Sequence, residues 1–175
     1  MFAQVHKFRS AAFRGLIPTR AEARSATHTT DGLVRVKSAY SVDETIDRIK
    51  KAIAAKGIPF FGAVDQARLA ARAGVKLRPS TLLVFGSPSL GAQFLSANPY
   101  AGLDWPIRLL VLQDTAGTVW VAYTDFGWTV RRRGITDRPE QSALASGLID
   151  SIASTVRATS WSSCAGRNDP IVTKS

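Results

Sequence analysis

Asp65, Asp104 and Arg108 are the residues of this chain best suited to chemistry. If the fold brings Asp65 and Asp104 together they form a carboxylate pair. Burial raises the pKa of one member toward neutrality, as general acid–base work requires. Arg108 would then clamp an anion. Each also has a structural reading. An Asp ahead of a short helix accepts backbone N–H bonds, Asp104 precedes a Trp-Pro turn, and Arg108 has acids near enough to pair with. Phe85-Gly86-Ser87-Pro88 offers a ligand mouth, because glycine admits close backbone approach, or else a strand-to-helix turn. Gln66 stands beside Asp65 and joins it as a ligand contact. Trp105, Trp120 and Trp128, near Arg131-Arg132-Arg133, suggest base stacking in a basic setting. Aromatics so placed are more often core or interface.

Other chemistries are disfavoured. His6 and His28 both precede the patterned region, which leaves the domain without the commonest general base and without Ser-His-Asp or Cys-His arrangements. The single cysteine, Cys164, lies in a C-terminal tail, so neither a disulfide nor a Cys/His zinc site is expected. No acidic cluster resembles a calcium loop, and no glycine-rich phosphate motif opens a helix. The expectation is no metal and no cofactor. No apolar run approaches the ~18 residues of a membrane span.

The chain has 175 residues and a net charge of +10. Residues 1–30 hold five Lys/Arg against one Glu, and residues 33–157 hold 16 against 10. Residues 1–32 are therefore set aside as a basic extension, disordered or targeting. Phe2, Val5, Phe8, Ala12 and Leu16 share a helical stripe there, as in an organelle presequence. The expected location is cytoplasmic, with organelle targeting by residues 1–30 as the alternative. Residues 33–157 form one α+β domain, and 158–175 a disordered tail.

The elements that must position these residues follow from periodicity. Leu33–Tyr40 alternates as a first strand. Ser41 and Glu44 make a capping box for a helix whose stripe is Val42, Ile46, Ile49 and Ile53, ended by Gly57. Ile58–Val64 is a second strand, with Gly62 marking a bulge and Pro59 an edge or a strand start. A short helix over 66–73 turns Leu69, Ala70 and Ala73 inward. Thr81–Phe85 is a third strand, 89–97 a second short helix, and Ile107–Leu112 with Thr118–Thr124 a hairpin about Asp114–Gly117. Residues 125–136 read as an irregular bridge. Asp137 and Glu140 form a second capping box for a terminal helix striped by Leu144, Leu148, Ile149, Ile152 and Val156. The order β-α-β(4)-α, with two short inserted helices, gives an antiparallel sheet with its helices on one face.

The chain resembles the family of domains of unknown function numbered 302, from about Val36 to Val156. The residues that carry this are Asp65, Ala70, Gly74, Leu77 and Pro79, then Phe85-Gly86-x-Pro88, Gly91, Asp104-x-Pro106-x-Arg108 and Val119–Tyr123. The resemblance implies a TATA-box-binding-protein-like fold, a curved antiparallel sheet usually paired as a dimer, and it implies no agreed activity. The chain departs from the pattern in having Gln66 after Asp65, Ser87 before Pro88, and Arg132-Arg133 where an Arg-His pair is usual. The leading expectation is a non-catalytic binding domain, a homodimer taking a small ligand or a protein partner on its curved sheet or in a groove. The residues assigned to it are Asp65, Gln66, Phe85, Gly86, Pro88, Asp104, Arg108 and Trp120. One alternative is an enzyme using Asp65 or Asp104 as acid/base with Arg108 as anion clamp. The other is a nucleic-acid binder using Arg131–Arg133 and the tryptophans, which is the less favoured partner class.

Overall fold

A computed structural model describes residues 26–158. Six strands form one open antiparallel sheet in the order β1-β2-β6-β5-β4-β3. The elements run β1 (Ala26–His28), β2 (Leu33–Lys37), α1 (Val42–Ala55), β3 (Phe60–Asp65), α2 (Gln66–Arg72), β4 (Ser80–Phe85) and α3 (Pro88–Ala97). A 3-10 turn (Pro99–Leu103), β5 (Ile107–Gln113), β6 (Val119–Thr124), α4 (Phe126–Arg132) and α5 (Pro139–Ser154) complete the order. The α+β class and the antiparallel pairing are those expected from the hydrophobic rhythm.

Strand alternation puts one set of side chains under the helices. Val34, Val36, Leu83, Phe85, Leu109, Val111, Val121 and Tyr123 are buried there against Ile49 and Ile53 of α1 and Ile149, Ile152 and Val156 beyond and within α5. A second cluster gathers Phe94, Ala101, Val130, Ile135 and Ala145, which ties α3, α4 and α5 together. Ser38 and Thr45 are also buried, and their hydroxyls satisfy each other at 2.6 Å.

Local signals explain most element ends. The Ser41 hydroxyl accepts from Glu44 N–H, and Gly57 takes a φ of 63° just past α1, where a side chain would strain. The Glu44 carboxylate pairs forward with Arg48, at 2.9 Å, instead of back to the cap. The bulge read from Gly62 appears as a register shift between Phe60 and Gly62, and β3 is an edge strand.

Several expectations are corrected. β1 lies inside the stretch set aside as an extension and pairs with β2, Ala26 opposite Val36 and His28 opposite Val34. Three residues carry too little alternation to register as a strand. The sheet therefore includes an exposed histidine at its edge. Residues 125–132 are not irregular: Asp125 accepts from Trp128 N–H at 2.6 Å and starts α4. Asp137 does not cap α5; its carboxylate is held by Arg138, and Pro139 opens the helix with no side-chain cap. The inward stripe runs through Ala145, Ile149 and Ile152 of α5 and on to Val156 just past its end, leaving Leu144 64% exposed. Ala145 is the smaller side chain, so its side of the helix fits against α3 and α4. α2 buries no residue, and Leu69 is 50% exposed instead of inward. The presequence-like stripe, His6, Cys164 and most of the tail lie outside the described residues.

Candidate functional site

Sheet register separates the two carboxylates. Asp65 ends β3 opposite Thr81, whereas Asp104 precedes β5, whose first residue Ile107 pairs with Phe85. The two β4 partners, Thr81 and Phe85, are four residue steps or roughly 13 Å apart, and Asp104 lies beyond the second of them. They do not form a carboxylate pair. Asp65 accepts from Arg68 N–H at 2.8 Å and caps α2, and Gln66 accepts from the Ser80 hydroxyl at 2.7 Å. Both act locally.

Asp104 is the centre of a different cluster. The 3-10 turn places it at the rim between β5 and α4, with its side chain 18% exposed. Its Oδ2 accepts from Arg133 Nε at 2.6 Å. Its Oδ1 lies 4.0 Å from Arg108 Nη2, and Arg108 also donates to the Leu103 carbonyl. One carboxylate thus faces two guanidiniums. Arg133 is mostly buried by the pairing, while the Arg108 side chain keeps half of its surface in solvent. Arg108 is therefore the more solvent-exposed of the two cations around Asp104.

The space beside Asp104 is small. A cavity of about 30 Å³ is lined by Asp104, Ile107, Arg108, Thr124, Phe126 and Thr129 with Ile149, and a neighbouring apolar one of about 10 Å³ includes Trp105 and Phe94. These volumes suit a water molecule, not a metabolite. A groove of ligand size, about 670 Å³, lies elsewhere. Lys56, Pro59, Ser87, Pro88, Leu90, Gln93, Gln141, Leu144 and Leu148 line it. Pro88 is the one assigned ligand residue among them. Phe85 is fully buried in the core. Gly86 backs Trp105: a Cβ built there would come within 3.0 Å of the indole, and at Gly91 within 2.3 Å. The Phe-Gly-x-Pro-x-x-Gly stretch is therefore a seat for Trp105, which also meets Phe61 edge-on at 6.0 Å.

Trp120 has two local partners. Its Nε1 donates to Asp114 Oδ2 at 2.8 Å, which ties the β5–β6 hairpin, and Arg35 lies over its ring at 4.3 Å. The Trp120 hydrogen bond holds the Asp114 carboxyl below its ordinary pKa; desolvation opposes it, and the backbone bonds from Thr118 and Ala116 add to the lowering. Tyr123, buried and donating to Asp150 at 2.7 Å, has its phenol pushed well above the usual range, by burial first and then by that bond. The Arg131–Arg133 run disperses around α4. Arg131 is exposed 4.0 Å from Asp125, Arg132 lies over Trp128 at 5.1 Å, and Arg133 turns to Asp104. They share no common face. Among the described residues no three His, Cys, Asp or Glu side chains gather as metal ligands.

Sequence reasoning missed Arg133 as the partner of Asp104, and it missed the groove. The only local sign of the first was a cation run next to a Trp. The second had a sign in Leu144, an apolar residue one step off the buried stripe of α5.

Comparison with known proteins bears on the family and the fold. The chain is 38% identical over 104 residues to the fluoride-specific ion channel FluC 1 of Brucella suis biovar 1, covering 59% of this chain and 41% of that protein. FluC 2 of Brucella melitensis biotype 1 is also 38% identical over 104 residues, 38% of its length. The chain thus spans about two fifths of the length of the curated relatives it matches. A crystal structure of an uncharacterized conserved DUF302 protein from Bacillus stearothermophilus superposes with a TM-score of 0.66, covering 72% of this chain and 98% of that one. At 19% identity that likeness shows the fold alone. The family model described as domain of unknown function DUF302 matches residues 34–158, and the chain belongs to this family.

Proposed function

We propose that the chain is a non-catalytic binding domain that works as a homodimer, with the sheet face opposite α1 and α5 as the seam between copies. The observation that carries this is the composition of that face. Leu82, Val84, Leu110, Leu112 and Trp120 alternate with the buried core positions on neighbouring strands and are only partly buried. A contiguous apolar carpet of this kind usually marks association. A two-fold pairing covers it with its own copy, since such an interface is self-complementary. The groove beside Pro88 then holds a small ligand, and Arg108, opposite Val84 on the seam face, supplies a cation at the edge of the seam.

Light scattering after size exclusion tests the seam. A dimer that becomes a folded monomer on Leu110→Glu supports it; a wild-type monomer at high protein concentration overturns it. A thermal-shift screen over small anions and metabolites tests the groove, with Lys56→Ala and Leu144→Ser as the variants that should lose any stabilisation. No stabilisation by any class would overturn the small-ligand part.

The Brucella relatives favour a second reading of the setting. In proteins named as ion channels, the segment matched here is one part of a longer chain. No helix among the described residues is long and apolar enough to cross a membrane. We infer that this domain is the counterpart of an accessory module that those proteins carry in the same chain as a channel. Recovery of a channel protein with the tagged chain from detergent-solubilised membranes supports this. Recovery with soluble proteins alone overturns it.

A further inference from the structure

We propose that α2 and the loop that follows it, residues 66–79, form a docking surface for an anionic lipid membrane. This stands apart from the dimer seam and is tested separately from it. The stretch projects from the body of the domain: α2 buries no residue, and every residue from Ala71 to Pro79 is exposed. It is nevertheless ordered, because Asp65 caps its start, the Val75 N–H returns to the Ala70 carbonyl at 2.9 Å, and Gln66 is tied to Ser80.

Two properties of this projection point to lipid. Leu69, Val75 and Leu77 are each at least 50% exposed on it, an unusual density of large apolar side chains in water. Arg68, Arg72, Lys76 and Arg78 are interleaved with them, the stretch contains no acid, and none of the four cations makes an ion pair among the described residues. Apolar tips between unpaired cations suit the boundary of an anionic leaflet, where the tips enter the acyl region and the cations meet phosphate and carboxylate headgroups. A second copy is the wrong occupant for a two-fold contact, because both partners would bring the same four positive charges. An acidic protein matches the charge. None of the cavities described above is lined by residues 66–79, however, and helix or strand recognition uses a groove or an open edge to orient its target.

Vesicle flotation of the full chain provides the test, with phosphatidylcholine vesicles compared against phosphatidylcholine mixed with phosphatidylserine. Binding is expected on the anionic vesicles only, and it should weaken as salt shortens the screening length. Arg72→Gln with Lys76→Gln should reduce the partition about 25-fold, as roughly fivefold per cation near a charged surface. Leu69→Ser with Leu77→Ser should reduce it by about tenfold or more. All four positions are exposed, so an unchanged melting curve is expected to accompany the loss. Arg9→Gln with Arg14→Gln in the basic N-terminal stretch should leave most of the binding in place. Absence of binding to anionic vesicles, or binding lost through the N-terminal pair and not through the 66–79 pairs, overturns the proposal. So does binding to an acidic polypeptide such as polyglutamate that the same two pairs abolish while vesicles remain unbound.

Discussion

Asp104 Oδ2 accepts a hydrogen bond from Arg133 Nε at 2.6 Å, across 29 residues of chain. The pair joins the turn before β5 to the end of α4, and so fixes the rim at which Arg108 is presented. Both side chains are more than four-fifths buried. A buried ion pair contributes little over an apolar replacement, but removing one partner strands the other.

The two halves of the pair therefore differ in cost. Asp104→Ala leaves the Arg133 guanidinium buried with no counter-charge and should cost about 3 kcal/mol in denaturant unfolding. Arg133→Ala should cost less, because Asp104 has Arg108 within 4.0 Å as a second partner. Equal losses, or the reverse order, would show that Arg108 does not act as that partner.

Two helical glycines should respond oppositely to the same substitution. Gly91→Ala drives a Cβ into Trp105 and should destabilise by about 1–3 kcal/mol, with a shift in tryptophan fluorescence. Gly147 in α5 is exposed and has nothing within 4 Å of its built Cβ. Gly147→Ala should stabilise by about 0.5–1 kcal/mol through helix propensity. Denaturant midpoints of the two variants check the signs.

Asp114 links the hairpin to acid sensitivity. Its folded pKa lies below the ordinary 3.8, chiefly through the Trp120 N–H. A depressed carboxylate contributes stability that is full above the unfolded value and lost as pH falls through the folded one. The β5–β6 hairpin should loosen below pH 3.8, seen as a change in Trp120 emission. Asp114→Asn should flatten that part of the pH profile; an unaltered profile would disprove the linkage.

Tyr123 predicts the opposite edge of the profile. Its phenol is raised from 10.0, so the unfolded chain ionises first as pH climbs. The contribution is complete below pH 10 and declines above it. Tyr123→Phe should remove this alkaline slope. At neutral pH it should cost about 1 kcal/mol for the lost bond to Asp150. Melting temperature measured against pH for both proteins decides it.

How much of this was legible in the residues depends on the range of the interaction. The hairpin around Asp114–Gly117, the Ser41 cap, the turn at Gly57 and the bulge at Gly62 are local devices, and all are present at the expected positions. α4 escaped notice because Phe126-Gly127-Trp128-Thr129 has little helix propensity of its own. Its Asp125 cap and the burial of Val130 against α5 hold it instead. β1 escaped because its pattern is too short, and with it His28 was left out of the sheet.

By itself the sequence determined the α+β class, the antiparallel order and the side chains of the core, because strand and helix periods are written into neighbouring residues. Only the tertiary structure decided which functional groups meet. It parted Asp65 from Asp104 by the length of β4 and brought Arg133 to Asp104. It spread the arginine run around a helix and left the 66–79 stretch projecting. Those outcomes depend on strand register and helix docking, which are set by contacts between segments far apart in the chain and leave no period to read.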